Sequence, residues 1–345
     1  MQPNKLLLAL PVIAVLVAAS GCTIPGLGGG GATGIGNGIV IQDFSPDFAS
    51  VQSGDDVQVQ VKVQNLGEVK AFNTVAELTG IDVSAWGGGF GAYSSSAAAN
   101  LGDLLPFDKE KNTPGAVRTN IWQLKAPSQS KGINTPYIPI VKVSYDYKTS
   151  AQKLITIVDE NELRRILQVG TGTLPSETST ASAGPLSVEI TTGAYEKSTA
   201  QQFGFGDNLF PVQIKITNTG GGVVVPPGTG TSFYGGGFST SYFGTIQNYP
   251  VGIKITPPEG TSFAFGSGFN SVDDCSTGTV TKDMWKGKEL IITCELTINS
   301  PPTYKESRPI LVDAFYRYQS EASTSIQVFG TSSDSGYGGI SGYSW

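Results

Sequence analysis

The sequence predicts an all-β protein made of two tandem β-sandwiches, and three observations lead there. Short segments alternate apolar and polar residues with the period of two that buries one face of a strand, and Gly, Pro, Asn and Asp separate them. Two motifs recur in the same order along the chain, which marks a repeated unit. A helical period is almost absent. The 345 residues are too many for one ordinary sandwich and suit two.

Composition excludes several classes of chemistry. With His 0, no His-dependent triad, imidazole metal site or imidazole acid–base step is available. Lys+Arg 22 against Asp+Glu 28 gives a net charge of −6, and no Lys/Arg cluster interrupts it, so nucleic acid is not an expected partner. Charged residues are only 14%, while Gly reaches 45, Phe 16 and Tyr 13.

At the N-terminus, Lys5 precedes an apolar run, Leu6 to Ala18, that contains Pro11. The run is shorter than the ~20 residues needed to span a bilayer and has signal-peptide proportions. Ala19-Ser20-Gly21-Cys22 follows and resembles the lipobox of prokaryotic lipoproteins, with Ala19 where Leu is favoured. The resemblance implies removal of residues 1–21 and a lipid on Cys22. Ordinary cleavage near Ala-Ser-Gly and an uncleaved anchor are the alternatives. Residues 22–37 form a Gly-rich tether that lets a domain stand away from a membrane. Within it, Gly29-x-Gly31-x-x-Gly34 matches the dinucleotide fingerprint as a string, but no strand precedes it.

The first copy spans 38–158. Its strands are expected at Gly38 to Phe44, Asp56 to Val63, Ala71 to Leu78, Val117 to Leu124 and Ile138 to Tyr147, with a closing strand at Leu154 to Val158. A short helix at Asp159 to Gln168 fits an Asp159 cap, Glu162 at the capping-box position and a Leu163, Ile166, Leu167 stripe. With the Thr/Ser/Gly-rich stretch after it, this makes 159–184 the linker. The second copy spans 185–330. Its strands are expected at Leu186 to Thr191, Phe210 to Thr217, Val251 to Thr256, Glu289 to Ile298 and Ile310 to Tyr318, and it closes on Ser325 to Phe329. A Gly/aromatic tail, 331–345, follows.

The repeated motifs are specific. Val61-Lys-Val-Gln-Asn65-Leu-Gly67 matches Ile214-Lys-Ile-Thr-Asn218-Thr-Gly220, an alternating strand running into an Asn-x-Gly turn. Tyr145-Asp146-Tyr147 matches Tyr316-Arg317-Tyr318 further on. About seven strands in roughly 130 residues is the arithmetic of an immunoglobulin-like sandwich. The segment Phe44 to Gly67, FSPDFASVQSGDDVQVQVKVQNLG, and Leu124-Lys125-Ala126-Pro127 before the Tyr-x-Tyr strand resemble the immunoglobulin-like domains of archaeal S-layer-associated and CARDB-type cell-surface proteins. That resemblance implies a surface β-sandwich used for display, adhesion or assembly and carries over no catalytic residue.

With Cys22 set aside, Cys275 and Cys294 remain, an even count that suits an oxidising compartment. They are expected to bond, closing a loop of about 20 residues worth about 3 kcal/mol, and to support the second domain alone. Ser128-x-x-Lys131 spells a penicillin-binding motif without its companion elements. Asp55-Asp56, Asp273-Asp274, and Asp103 with Asp108 read as solvated turn residues, with a loose calcium site as the alternative.

One feature points to a surface. Trp86-Gly-Gly-Gly-Phe90-Gly-Ala-Tyr93 in the first copy and Phe233-Tyr234-Gly-Gly-Gly-Phe238 with Tyr242 and Phe243 in the second read as Gly/aromatic loops at one equivalent point of the fold. Two roles fit them: contact surfaces, or lids folded over the sandwich ends. The expected protein is non-enzymatic and lipid-anchored on the outer face of the membrane, needs no cofactor or metal, and serves adhesion or surface-layer assembly. Its partner is a surface protein, a glycan or another copy of itself. A carbohydrate-binding module using the aromatic loops is the second reading.

Overall fold

The computed structural model describes residues 38–82, 85–86, 97–108, 110–158, 177–192, 209–227, 249–263, 278–300 and 302–331, with 162, 165, 168 and 275 singly. The fold is all-β. Strands of the first copy are β1 (Ile39–Pro46), β2 (Ser50–Gln52), β3 (Asp56–Asn65), β4 (Ala71–Thr79), β5 (Ala98–Leu104), β6 (Val117–Lys125), β7 (Asn134–Tyr137) and β8 (Ile140–Val158). β9 (Thr180–Ala181) lies in the linker. The second copy supplies β10 (Leu186–Thr192), β11 (Leu209–Asn218), β12 (Val223–Val225), β13 (Pro250–Thr256), β14 (Thr261–Phe263), β15 (Thr279–Asp283), β16 (Glu289–Ile298), β17 (Lys305–Ser323) and β18 (Ile326–Phe329). Glu162, Arg165 and Gln168 are helical, as the linker sequence predicts, and Glu162 pairs with Arg165 at 2.6 Å.

Each long strand obeys its apolar period. Val57, Val59, Val61 and Val63 of β3 are fully buried, and Phe210, Val212, Ile214 and Ile216 of β11 repeat the pattern. β3 is the centre of a β1-β3-β6 sheet, and β10-β11-β16-β14 is its counterpart in the second copy. Both pack against a single eight-stranded sheet whose main path is β15-β13-β17-β8-β4-β5.

That common sheet changes the architecture from the one the sequence suggests. β8 and β17, one from each copy, pair antiparallel along all of their 19 residues, from Lys305 opposite Val158 to Ser323 opposite Ile140. The two sandwiches are therefore fused side by side through one continuous sheet instead of standing apart on a linker. The expected closing strand Leu154 to Val158 is the unbroken end of β8. The other closing strand, β18, leaves its own copy altogether. It inserts between β2, in parallel, and β7, antiparallel, and so completes the first copy. Ile326 and Val328 are buried there, and Gln327 N–H donates to Ala49 O at 2.9 Å.

The repeated motifs prove to be one device used twice. At the seam Tyr145 stands opposite Tyr318 and Tyr147 opposite Tyr316, so equivalent positions of the two copies pair about a local two-fold axis. All four rings are buried, with neighbouring centroids 6.0 to 6.3 Å apart. Their hydroxyls anchor backbone. Ile39 N–H donates to Tyr145 Oη at 3.1 Å, and Leu186 N–H to Tyr316 Oη at 3.3 Å, which fixes the first strand of each copy. Val69 N–H donates to Tyr147 Oη at 3.2 Å and Gly222 N–H to Tyr318 Oη at 2.9 Å, just beyond each Asn-x-Gly turn. The turns themselves are held by Asn65 and Asn218, each of which accepts from the glycine N–H and donates to two carbonyls. A Cβ on Gly67 or Gly220 would collide with the Tyr147 or Tyr318 hydroxyl, which is why the third turn residue is glycine.

Burial pushes the phenols up, Tyr147 and Tyr318 to about 12 and Tyr145 and Tyr316 well above the ordinary tyrosine value. The folded pKa is raised, so this contribution to stability is complete below about pH 10. It is lost as pH rises toward 12.

On the opposite face of the same strands, the residues between the tyrosines form an ion pair on the two-fold axis. Arg317 Nη1 donates to Asp146 Oδ1 at 2.8 Å, and both side chains are almost fully buried. Asn73 Nδ2 donates to Asp146 Oδ2 at 2.8 Å, and Arg317 Nη2 to Ser144 Oγ at 2.9 Å.

Candidate functional site

Trp86 is the one proposed contact aromatic that falls among the described residues, and it is buried, not exposed. The chain leaves β4 at Gly80, and Trp86 N–H turns back to Asp82 O at 3.1 Å. Trp86 O then accepts the Lys125 N–H at 3.0 Å, which stitches the loop to the end of β6. The indole sits edge-on to Tyr137, centroids 5.1 Å apart, and joins the same core as Trp122. Its N–H has no hydrogen-bond partner, so the ring acts as apolar filler. For Trp86 the contact role is thus corrected to that of a lid over the sandwich end. Phe90, Tyr93, Phe233, Tyr234, Phe238, Tyr242 and Phe243 lie outside the described residues, as do Cys22, Asp273, Asp274 and the tail 332–345.

The two Gly/aromatic segments also do not occupy one equivalent point. The first lies between β4 and β5. The second lies between β12 and β13, which together line up along β17 as β4 does along β8. Val225 faces Arg317 as Phe72 faces Asp146, and Gly252 to Thr256 then follow where Val75 to Thr79 do. The second segment is therefore an insertion within a strand position, at the place where β4 carries only a bulge. The counterpart of the first segment is the connection from β13 to β15. There β14 pairs with β16 much as Trp86 meets β6, and Phe263 is buried like Trp86.

The disulfide is formed. Cys275 and Cys294 are joined with S–S 2.03 Å and Cα–Cα 5.7 Å, tying the β14–β15 connection to β16.

The acidic turns serve the backbone. Asp55 Oδ2 accepts Gln52 N–H, and Asp108 Oδ1 accepts the N–H groups of Glu110 and Lys111. The Lys111 backbone N–H and ammonium hold Asp108 below the ordinary carboxylate range, and the Lys70 ammonium does the same for Asp103. Among the described residues, no three His, Cys, Asp or Glu side chains are grouped to hold a metal, and no helix is long and apolar enough to cross a membrane.

Sequence reasoning missed the most exposed tryptophan among the described residues. β15 of the common sheet and β16 of the β10-β11-β16-β14 sheet are joined by a turn, Trp285-Lys286-Gly287-Lys288, closed by a single bridge between Trp285 and Glu289, and Trp285 is 70% exposed. A cleft of about 510 Å³ opens beside it, lined by Tyr249, Asp283, Met284, Trp285, Lys286 and the start of β16. The signal was present as a Lys-Gly-Lys turn after an aromatic, but β15 has little apolar alternation, so the strand and the turn after it were not recognised. No family model matches this chain and no curated protein matches it, so the resemblance to surface-layer immunoglobulin-like domains rests on the turn and strand signatures alone.

Proposed function

We propose that this chain is a non-enzymatic surface protein, held to the outer face of the membrane by a lipid on Cys22, in which the fused double sandwich serves adhesion or assembly of a surface layer. The observation that carries the reading is where the buried polar groups are used. The four tyrosines, Asn65 and Asn218 hold backbone, and Asp146 and Arg317 hold each other. Such a core makes a stiff frame and leaves turns and loops as the variable parts. The Cys275–Cys294 bond supports a location in an oxidising compartment. Cys22, preceded by the short apolar run, supplies the anchor, and the glycine tether gives the frame reach.

Cys22→Ser is expected to move the protein from the membrane fraction to the medium, or to halt it as the uncleaved precursor. Fractionation with mass measurement of the mature N-terminus checks this. Membrane partition of Cys22→Ser equal to that of the natural chain would overturn lipid anchoring. Adhesion or assembly is read separately, by sedimentation of the extracted protein with isolated cell surfaces.

A further inference from the structure

We propose that the cleft at the turn between β15 and β16 is a carbohydrate-binding subsite in which the Trp285 indole stacks on the apolar face of a neutral sugar ring. Trp285 is held by a short hydrogen-bonded turn. Its N–H donates to Glu289 O at 2.6 Å, Lys288 N–H donates to Trp285 O at 2.9 Å and Gly287 N–H to Met284 O at 3.2 Å. The backbone that carries the indole thus has little conformational freedom left to lose on binding. Trp285 is 70% exposed at this turn, so most of its indole is available to a ligand.

The walls supply what a sugar needs beside the stacking face. Met284 is buried at the base. Tyr249 packs against the turn at Gly287, where a Cβ would stand 3.0 Å from the Tyr249 ring and φ is +67°. Tyr249 N–H donates to Asp283 Oδ1 at 3.2 Å, which fixes that carboxylate at the rim. Asp283 and Glu289 offer acceptors for vicinal hydroxyls, and the Lys286 ammonium, 5.6 Å from the indole centroid, offers a donor. An apolar floor with a few placed polar groups, in about 510 Å³, suits a small ligand.

Size and charge select the class. The lining comes from one turn with its flanking strand ends and Tyr249, far short of the ~20–30 residues a protein partner would cover. Asp283 and Glu289 are balanced by Lys286 and Lys288 of the same turn, so the site carries no net charge to favour an ionic ligand. Neutral oligosaccharides fit both constraints. This subsite is independent of the anchoring proposal, since it requires neither lipid nor membrane.

The test applies the full chain, extracted in detergent, to an array of neutral, amino-sugar and uronic-acid oligosaccharides, with phosphatidylglycerol vesicles in parallel. The natural chain is expected to bind neutral members. Trp285→Ala should weaken that binding about tenfold or more, the scale of one aromatic stacking contact. Trp285→Phe should recover part of it, and the unfolding midpoint of both variants should match that of the natural chain. Binding to no array member, binding unchanged in Trp285→Ala, or Trp285-dependent binding to vesicles without sugar binding would each overturn the proposal.

Discussion

Arg317→Asp is expected to destabilise the protein by about 3–5 kcal/mol, the cost of leaving a buried charge without its partner. Asp146 is almost fully buried and accepts from Arg317 at 2.8 Å, so the substitution sets two carboxylates face to face on the two-fold axis. The pair matters less as net stabilisation than as a label. Asp146 and Arg317 hold the same position in the two copies, and the seam joins them. Two first copies meeting at this seam would oppose Asp to Asp, and two second copies Arg to Arg. Only the unlike pairing is satisfied, which directs β8 to a β17 and away from a second β8. Adding Asp146→Arg to Arg317→Asp should therefore recover at least half of the loss. Urea unfolding of the natural chain, the single variant and the double variant checks this. A single variant that loses less than about 1 kcal/mol, or a double variant no better than the single, would contradict the role assigned to the pair.

Trp86→Ala is expected to cost about 3–5 kcal/mol, as other large-to-small aromatic substitutions in cores do. The ring is fully buried against Tyr137, and its N–H makes no hydrogen bond, so the loss is one of packing. The effect should appear as a lower denaturation midpoint with an unchanged slope. Near-natural stability together with lost adhesion would return Trp86 to a contact surface.

The long strands were legible because their faces differ. β3, β11 and β16 alternate cleanly, since one face packs in the core and the other meets solvent. β2, β7, β9, β12 and β14 escaped notice because strands of two to four residues carry no measurable period. The Asn-x-Gly and Tyr-x-Tyr repeats were visible, but their mutual contact was not, because it joins Gly67 to Tyr147 and Gly220 to Tyr318 across most of each copy. Nothing in the alternation of β8 and β17 distinguishes a sandwich edge from a shared seam. The distinguishing sign is the polar residue between each pair of tyrosines, Asp146 in one copy and Arg317 in the other, buried where an isolated sandwich would expose it. The location of the candidate sugar site was illegible for a related reason: Trp285 is an ordinary residue in sequence and an unusual one only in an exposed turn between two sheets.

Fusion of the two copies into one folding unit is tested most directly by calorimetry of the extracted chain before and after reduction. Continuous pairing of β8 with β17 and insertion of β18 into the first copy predict one transition, with calorimetric and van't Hoff enthalpies equal. Reducing Cys275–Cys294 should remove about 3 kcal/mol and lower that whole transition. Two resolved transitions, of which reduction lowers only one, would contradict the account and restore a pair of independent domains.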